Sequence, residues 1–292
     1  MSDFKEKFAK KIVSMTTHIS PRLSSRIIYK IHTGKNLHLK NPILFNEKLM
    51  YLKLNDFKDN DLVSMCSDKL QLEKYTKANG YKNLTNKIIK IYNNASEIDF
   101  DELPEKFALK CNHGCKFNII VDNKDCIDKD QVRKTLDKWV KTKHGYVTAE
   151  PHYFKITPKI YAEEYIEGDN GEFPNDYKVY VFNGKAKCVL VCTNRKSGLE
   201  QKLYDLNWKE LHYLKYEVVT KKSINRPKNL NKMIEIAENL AKPFRFVRVD
   251  FYETKQKLIL GELTFTPARC CDNDYNEKGN IELGKMLDLN EK

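Results

Sequence analysis

Residues 247–268, VRVDFYETKQKLILGELTFTPA, contain two β-prone runs on either side of a polar turn. Asp250 ends the first run and Glu262 ends the second. This pattern predicts a β-hairpin, and pairing of its strands would bring the two carboxylates close together. Two close carboxylates repel unless a positive charge lies between them, and oxygen ligands suit a hard cation such as Mg²⁺. Because side chains alternate with period two, Thr264 lies on the same face as Glu262 and is a candidate third ligand. The alternative is a surface hairpin with solvated acids.

The composition is that of a globular protein, with 41% hydrophobic and 32% charged residues in a chain of 292. No run approaches the ~20 apolar residues that a membrane-spanning helix needs. The N-terminal residues MSDFKEKFAKK lack the apolar core of a signal peptide. We therefore expect a cytoplasmic protein whose eight cysteines are reduced thiols.

The charge is strongly positive, at +12 for the whole chain. Residues 1–60 carry twelve Lys/Arg against five Asp/Glu, an excess that favours an anionic partner such as a nucleotide, a sugar nucleotide or a membrane surface. The lysines are scattered singly, which argues against nucleic-acid binding. The first predicted helix is basic on its polar side and could lie on a membrane surface, but we expect it to pack against its own domain.

The N-terminal sixty residues have helical periodicity. We predict one helix from residue 3 and a second that begins at Ser20-Pro21 and ends near Gly34. Asn46 is the predicted N-cap of a third helix, and residues 67–69 are predicted to begin a fourth.

A second candidate site lies between two β-prone runs, in the polar loop at residues 112–118. The backbone N–H groups of this loop and the side chain of Lys116 can cover a polyphosphate, and Lys110 adds a positive charge from the strand before it. Gly114 makes the loop flexible. Many ordinary hairpin loops also contain Gly and Lys, so this motif alone is a weak signal.

The cysteines and histidines suggest other sites that we do not favour. His113 lies between Cys111 and Cys115, but no second cysteine pair follows at a distance typical of a zinc site. His144 and His152 flank a Gly-Tyr loop and could contact a substrate, but we expect both on the surface.

The order of these parts resembles the ATP-grasp superfamily. A strand that ends in Lys leads to a Gly-containing loop, then to Glu-Glu-Tyr-Ile, to an Asn-Gly hairpin, to a helix and finally to the acidic hairpin. The closest likeness is to the TupA-like branch of teichuronopeptide biosynthesis. The stretches that carry the likeness are FNEKLMYLKL (45–54), SDK (67–69), LPEKFALKCNHG (103–114), DYKVYVFNGK (176–185), YDLNW (204–208) and GELTFTP (261–267).

The resemblance implies an α+β, ATP-grasp fold, in which two α+β subdomains grip ATP. It implies a helical N-terminal region at 1–66, a subdomain with the phosphate-binding loop at 67–159, and a subdomain with the adenine hinge and metal hairpin at 160–292. The implied cofactors are ATP and Mg²⁺. Where members usually have an N-terminal α/β domain, this chain has about sixty helical residues.

The resemblance also implies roles for individual residues. Lys178 resembles a residue that faces the γ-phosphate, and Arg195 resembles one that steadies an acyl-phosphate. Asp250 and Glu262 would hold Mg²⁺, while Thr264 stands where many members have Asn and puts a second metal ion in doubt. Residues 163–166 would form the hinge that binds adenine, with the choice between the two glutamates left open. The implied nucleotide-binding residues are Lys69, Lys110, His113, Gly114, Lys116, Glu163, Glu164, Tyr165 and Ile166.

The activity implied is an ATP-dependent carboxylate–amine ligase that works through an acyl-phosphate. Its acceptor would be a small-molecule or sugar-nucleotide carboxylate, such as a uronic acid of a bacterial capsule or other surface polysaccharide, and its second substrate an amine or amino acid. Peripheral association with membrane-bound polysaccharide machinery fits this role. One alternative is a glycosyltransferase of the same pathway, and another is a non-enzymatic module that presents the basic N-terminal helices to a membrane or polymer.

Overall fold

The computed structural model describes residues 3–168, 174–193 and 199–291, with side chains from residue 10 onward. Its α-helices are α1 (Asp3–Ile19), α2 (Pro21–Thr33), α3 (Phe45–Leu52), α4 (Asp61–Ser67), α5 (Leu72–Ala78), α6 (Lys129–Val140), α7 (His144–Thr148), α8 (Leu230–Ala241) and α9 (Glu277–Met286). Its strands are β1 (Ile88–Tyr92), β2 (Phe107–Cys111), β3 (Asn118–Val121), β4 (Ile160–Glu164), β5 (Asp176–Phe182), β6 (Lys185–Thr193), β7 (Glu200–Asp205), β8 (Phe246–Glu253) and β9 (Leu258–Thr264).

The strands form two antiparallel sheets. One sheet has four strands in the order β1-β4-β2-β3, and the other has five in the order β7-β6-β5-β8-β9. Helix α6 packs on the four-stranded sheet and encloses a small core of its own. Helix α8 packs on the five-stranded sheet within a larger core. The predicted α+β class is therefore confirmed.

Local sequence determines where the first two helices begin and end. Ser20 is the N-cap of α2, and its side chain accepts a hydrogen bond from the backbone N–H of Leu23. Gly34 ends α2 in the left-handed conformation, with φ of +70°, and its N–H donates to the carbonyl of Lys30. Both ends lie where the sequence predicts them.

Two predicted helix starts are wrong. Helix α3 begins at Phe45 with Leu44 as its N-cap, and the side chain of Asn46 instead donates to the carbonyl of Asp272, 2.8 Å away. Residues 68–71 form a turn between α4 and α5, so residues 67–69 begin no helix. In both places a polar side chain has a distant partner that the local sequence does not reveal.

The N-terminal helices share the core of the five-stranded sheet. The ring of Phe45 lies 5.7 Å from that of Phe182 and 5.4 Å from that of Phe246. Helix α9 closes the same core, since Gly284 packs against the backbone at Ile43. The division of the chain after residues 66 and 159 stays a prediction.

No helix in the described ranges is both long enough and apolar enough to cross a membrane.

The contact between α9 and α3 gives a test of this packing. A Cβ added at Gly284 would lie 2.3 Å from the carbonyl oxygen of Ile43. Gly→Ala inside a helix normally stabilises by about 0.5–1 kcal/mol, but here we expect Gly284→Ala to lower the free energy of unfolding by about 2 kcal/mol because of the clash. Urea denaturation measures the change. The control Lys285→Ala, on the exposed side of the same helix, should stay within about 0.5 kcal/mol of wild type. Stabilisation by Gly284→Ala would contradict the close approach.

Candidate functional site

The acidic hairpin is present, and pairing of its strands brings the two carboxylates together, as the sequence predicts. Asp250 on β8 lies directly opposite Glu262 on β9, and Arg248 lies opposite Thr264. A short turn joins the strands, with the N–H of Thr254 donating to the carbonyl of Lys257. Because side chains alternate along a strand, four polar side chains of the hairpin lie on one face of the five-stranded sheet: those of Arg248, Asp250, Glu262 and Thr264.

Asp250 is only 2% exposed and is neutralised by two cations. Lys178, opposite it on β5, donates from Nζ to Asp250 Oδ2 and to Asp176 Oδ2, each 2.5 Å away. Arg248 adds a two-pronged contact, with Nε 2.7 Å from Oδ1 and Nη2 2.7 Å from Oδ2. Burial alone would lower the pKa of Lys178, but the two facing carboxylates raise it, so the lysine stays charged.

Glu262 completes the cluster on the neighbouring strand. Its Oε1 accepts a hydrogen bond from the hydroxyl of Thr264 at 2.7 Å and lies 3.3 Å from Nη2 of Arg248. Burial alone would raise the pKa of Glu262, but the positive charges of Lys69, Arg248 and Lys178 lower it to about 2. Glu262 is therefore an ionised carboxylate at neutral pH.

Two members of this cluster, Arg248 and Asp176, were not assigned a role from the sequence. The signal for both was present, because each lies two residues from a predicted site residue and period two puts it on the same strand face. The predicted catalytic residue Arg195 lies outside the described residues, so its role stays a prediction. Among the described side chains, the guanidinium beside the paired acids is that of Arg248.

The predicted phosphate loop joins β2 to β3, as expected. Lys69 links this loop to the acidic hairpin, because its Nζ donates to the carbonyl of Gly114 at 2.7 Å and lies 3.9 Å from Glu262 Oε2. Asn112 fixes the base of the loop: its side chain accepts from the N–H of Lys159 at 2.7 Å and donates to Asp68 at 2.8 Å.

Gly114 fits in this loop because it has no side chain. A Cβ there would lie 2.8 Å from the ring of Phe117 and 2.9 Å from the ring of His144, so no larger residue fits without movement. The left-handed conformation in the loop falls on Lys116, with φ of +61° and an exposed side chain. The loop therefore rests closely on its support and projects a lysine outward.

The side chain of His113 anchors the loop from below. It is buried, and its Nε2 lies 3.1 Å from the carbonyl oxygens of both Trp139 and Thr142, at the end of α6. Burial lowers the pKa of His113 to about 4, so the ring is neutral at pH 7. Nε2 must then carry the proton, since only an N–H can donate to the two carbonyls.

The two glutamates of the predicted hinge lie on opposite sides of β4. Glu163 is buried, and its Oε1 is 2.5 Å from Nζ of Lys110 on β2. Glu164 is partly exposed and pairs with Lys87 at 2.9 Å. Glu163 therefore faces the cleft between the two sheets, together with Lys110.

The cleft between the sheets is narrow. The segment that leads into β1 is joined to the five-stranded sheet where the N–H of Leu260 on β9 donates to the carbonyl of Leu84 at 2.8 Å. Beside this link, Lys69, Lys110 and Glu163 line a cavity of only about 30 Å³, enough for about one water molecule. This small cavity adjoins an open cavity of about 520 Å³. The open cavity lies between the β8–β9 turn and residues 164–168 of the predicted hinge, which include Tyr165 and Ile166. A nucleotide could enter the inner cleft only if the sheets move apart.

His144 and His152 are buried, at 6% and 1% exposure, so our expectation that they lie on the surface is wrong. His144 lies beside Glu150, a buried carboxylate whose Oε2 is 3.6 Å from Nε2 of the histidine. Thr266, beyond β9, donates a hydrogen bond to the other oxygen of Glu150. This pair lies directly beneath the loop at Gly114.

The charged forms of His144 and Glu150 stabilise each other. Burial alone would lower the pKa of His144, but its contacts with Cys115 and Glu150 raise it to about 9. Burial alone would raise the pKa of Glu150, but His144 lowers it to about 2. Each group is thus held in its charged form at neutral pH.

A model of the TupA-like ATP-grasp family matches residues 47–288. The chain belongs to this family. A search of curated proteins found no match. The family assignment confirms the resemblance and the ATP-grasp fold that the sequence implies.

Solved structures of ATP-grasp ligases resemble this family member only distantly. D-alanine–D-alanine ligase from Bacillus anthracis is 17% identical, with 76% of this chain and 64% of that one covered and a TM-score of 0.47. An ADP complex of PurK, N5-carboxyaminoimidazole ribonucleotide synthetase, is 14% identical, with 75% and 50% covered and a TM-score of 0.45. The ATP-grasp ligase PsnB, solved with a phosphomimetic variant of a minimal precursor, Mg and ADP, is 12% identical, with 75% and 56% covered and a TM-score of 0.39. The chain thus spans 50–64% of the length of these three structures.

The buried pair gives a prediction about pH. A histidine whose pKa rises on folding, from about 6.5 to about 9, stabilises the fold below pH 6.5, and this contribution is lost as pH rises to 9. The free energy of unfolding should therefore fall between pH 7 and 9, by up to about 1.4 kcal/mol per pH unit from this group. In Glu150→Gln the contact with Cys115 remains but the facing carboxylate is gone, so the pKa of His144 should fall and this slope should become smaller. Urea unfolding at a series of pH values measures both slopes. Equal slopes in the two proteins would contradict the pairing.

Proposed function

We propose that this chain is an ATP-dependent carboxylate–amine ligase. The observation that carries the proposal is the position of Lys69, which contacts the predicted phosphate loop at Gly114 and lies 3.9 Å from Glu262 of the acidic hairpin. The two parts that handle the triphosphate in such an enzyme therefore meet at one point, although they lie on different sheets. Membership of the TupA-like ATP-grasp family supports the same activity.

ATP would lie in the cleft between the sheets. Residues 163–166 would bind adenine, with Glu163 as the carboxylate inside the cleft, since Glu164 is paired with Lys87 outside it. Lys110 would contact the α- and β-phosphates after exchanging its partner Glu163 for the nucleotide. Lys69 and the loop 112–118, with the exposed Lys116, would cover the triphosphate.

The acidic hairpin would hold Mg²⁺ once Asp250 exchanges one of its contacts with Lys178 or Arg248 for the ion. Asp250 and Glu262 are directly opposite each other on paired strands, and Thr264 adds a hydroxyl beside them. Mg²⁺ in such enzymes commonly takes one or two carboxylates and completes its shell with phosphate oxygens and water. No group of three or more His, Cys, Asp or Glu side chains in the described ranges is placed to hold a metal ion. The ion would therefore bind together with the nucleotide, where it neutralises phosphate charge.

The reaction would proceed in two balanced steps. A carboxylate oxygen of the acceptor attacks the γ-phosphorus of ATP, the bond to the bridging oxygen breaks, and ADP leaves. An amine nitrogen then attacks the carbonyl carbon of the acyl-phosphate, phosphate leaves, and the nitrogen loses a proton to give an amide. Lys178 and Arg248 would stabilise charge on the transferred phosphoryl group. Closure of the cleft would protect the acyl-phosphate from water.

We further propose the class of substrate. The acceptor would be a uronic acid, free or as a sugar nucleotide, in the synthesis of a bacterial capsule or other surface polysaccharide, and the donor an amine or amino acid. This part rests on the TupA-like family assignment and on the positive net charge of +12. The enzyme would work in the cytoplasm, beside membrane-bound polysaccharide machinery.

An assay of ADP release tests the activity. The purified protein with ATP, Mg²⁺, a uronic acid or its sugar nucleotide, and a panel of amines should release ADP and form an amide that mass spectrometry detects. No ATP binding and no ADP release would contradict the proposal. Cleavage of the sugar nucleotide in the absence of ATP would favour a glycosyltransferase instead.

Two substitutions test the site assignment. Lys110→Met removes the charge that faces the phosphates, and Asp250→Asn removes a metal ligand. We expect each to lower turnover by at least about 100-fold while the circular dichroism spectrum stays unchanged. Lys90→Met is the matched control, because Lys90 lies on β1 of the same sheet but pairs with Glu102 in an exposed position. Turnover near wild type in Lys110→Met or Asp250→Asn would remove that residue from the site.

A further inference from the structure

The segment between Glu6 and Glu47 contains no acidic residue. It carries eight Lys/Arg: Lys7, Lys10, Lys11, Arg22, Arg26, Lys30, Lys35 and Lys40. The segment covers most of α1, all of α2 and the stretch that leads to α3. Such an unbalanced block of charge attracts an anionic surface.

Three of these basic residues line a cavity. Arg22 and Arg26 lie one turn apart on the exposed side of α2 and, with Lys40, line a cavity of about 880 Å³. No ion pair with either arginine occurs among the described side chains. Two like charges at this helical spacing repel each other, so an anion between them would be stabilising.

The acid in the lining of this cavity, Glu47, does not neutralise these arginines. Its two carboxylate oxygens accept hydrogen bonds from the backbone N–H groups of His38, Ile43 and Leu44. These bonds hold the stretch before α3 in place, so Glu47 is committed to the local backbone.

The same region exposes large apolar side chains. Of the ten large hydrophobic residues exposed in the described part of the chain, five fall between residues 15 and 43: Met15, Ile19, Leu23, Ile31 and Ile43. Ile19 is 83% exposed and Ile43, in the lining of the cavity, is 65% exposed. Leu23 follows Arg22 directly in the sequence and is also exposed on α2, at 47%.

We propose that this basic–apolar face, made of Ile19, Arg22, Leu23, Arg26, Lys40 and Ile43, binds an anionic membrane surface. The arginines and Lys40 would contact lipid phosphates, and the three aliphatic side chains would enter the boundary between headgroups and acyl chains. Adjacent basic and apolar side chains on one surface are typical of proteins that lie on a bilayer.

The chemistry of this face disfavours other anionic partners. A nucleic-acid surface would gain nothing from exposed aliphatic side chains such as those of Ile19 and Ile43. An acidic protein would have to supply both acids and an apolar patch of matching shape, whereas a bilayer supplies both without a specific shape. Binding to lipid requires neither ATP nor ligase activity. A vesicle-binding experiment therefore tests this surface separately from the proposed function.

Sedimentation with vesicles tests the proposal with the full-length protein. Vesicles that mix phosphatidylglycerol with phosphatidylcholine should pellet the protein, and vesicles of phosphatidylcholine alone should leave it in solution. Binding should weaken as salt is added, because screening reduces attraction between exposed charges. Equal binding to both kinds of vesicle, or to neither, would overturn the proposal.

Variants with matched controls locate the surface. Arg22→Ala with Arg26→Ala should weaken vesicle binding roughly 30-fold, from about fivefold per basic residue at an anionic surface. Lys185→Ala with Lys285→Ala removes the same charge from exposed positions elsewhere and should change it by less than about twofold. Ile43→Ser should weaken binding roughly tenfold, and Ile91→Ser, at another exposed isoleucine, should not. Unchanged thermal midpoints would show that all variants fold. Wild-type binding by the double arginine variant would overturn the proposal.

Two further experiments distinguish a membrane from other anionic partners. If inorganic phosphate releases the protein from vesicles where chloride at the same ionic strength does not, the cavity is a site for free phosphate and the proposal fails. If vesicles do not bind the protein but immobilised polyglutamate retains it through Arg22 and Arg26, the partner is an acidic protein and the proposal also fails.

Discussion

The burial of Asp250 beside Arg248 and Lys178 is the constraint on which the rest of the site depends. A carboxylate that is 2% exposed is costly to ionise, because burial raises its pKa, and a two-pronged arginine and a lysine oppose that effect here. Arg248 reaches Asp250 from two residues away on β8 itself, and Lys178 reaches it because β5 pairs with β8 in this register. A slip of one residue would turn these charged side chains into the apolar core behind the sheet. The fold and the candidate site are therefore specified by the same alternation of side chains.

That constraint also explains how the site spans two sheets. Glu262 carries the negative charge that remains at the edge of the cluster, and Lys69 approaches it from the other side of the cleft while donating to the loop carbonyl of Gly114. In the cleft itself, Lys110 pairs with Glu163. Both lysines thus have anionic partners within the protein, which a triphosphate could replace. The closed cleft is stabilised by the same charges that would bind the nucleotide after it opens.

Features that depend on neighbouring residues in the chain could be predicted, and features that depend on distant partners could not. The hairpin register follows from the alternation around Asp250 and Glu262, and the ends of α2 follow from Ser20 and Gly34. By contrast, the burial of His144 depends on Glu150 and on Thr266, which lies 116 residues beyond Glu150. No local sequence pattern predicts that a histidine is buried beside a carboxylate that is itself buried. Arg248 shows a third case, because its position was predictable from period two, but its contacts with Glu262 and Thr264 depend on the register with β9.

The N-terminal helices contact the chain that follows the acidic hairpin, although they lie outside the two sheets. Asn46 on α3 contacts the backbone of Asp272 in both directions, and Asn273 donates to the carbonyl of His32 at the end of α2. The chain that leaves the acidic hairpin is therefore held against α2 and α3. These helices stand where the ATP-grasp resemblance leads one to expect a separate domain. Since α2 contacts this chain at one end and carries the basic–apolar face on its exposed side, a substrate delivered at a membrane surface, as proposed above, would arrive beside the part of the fold that follows β9.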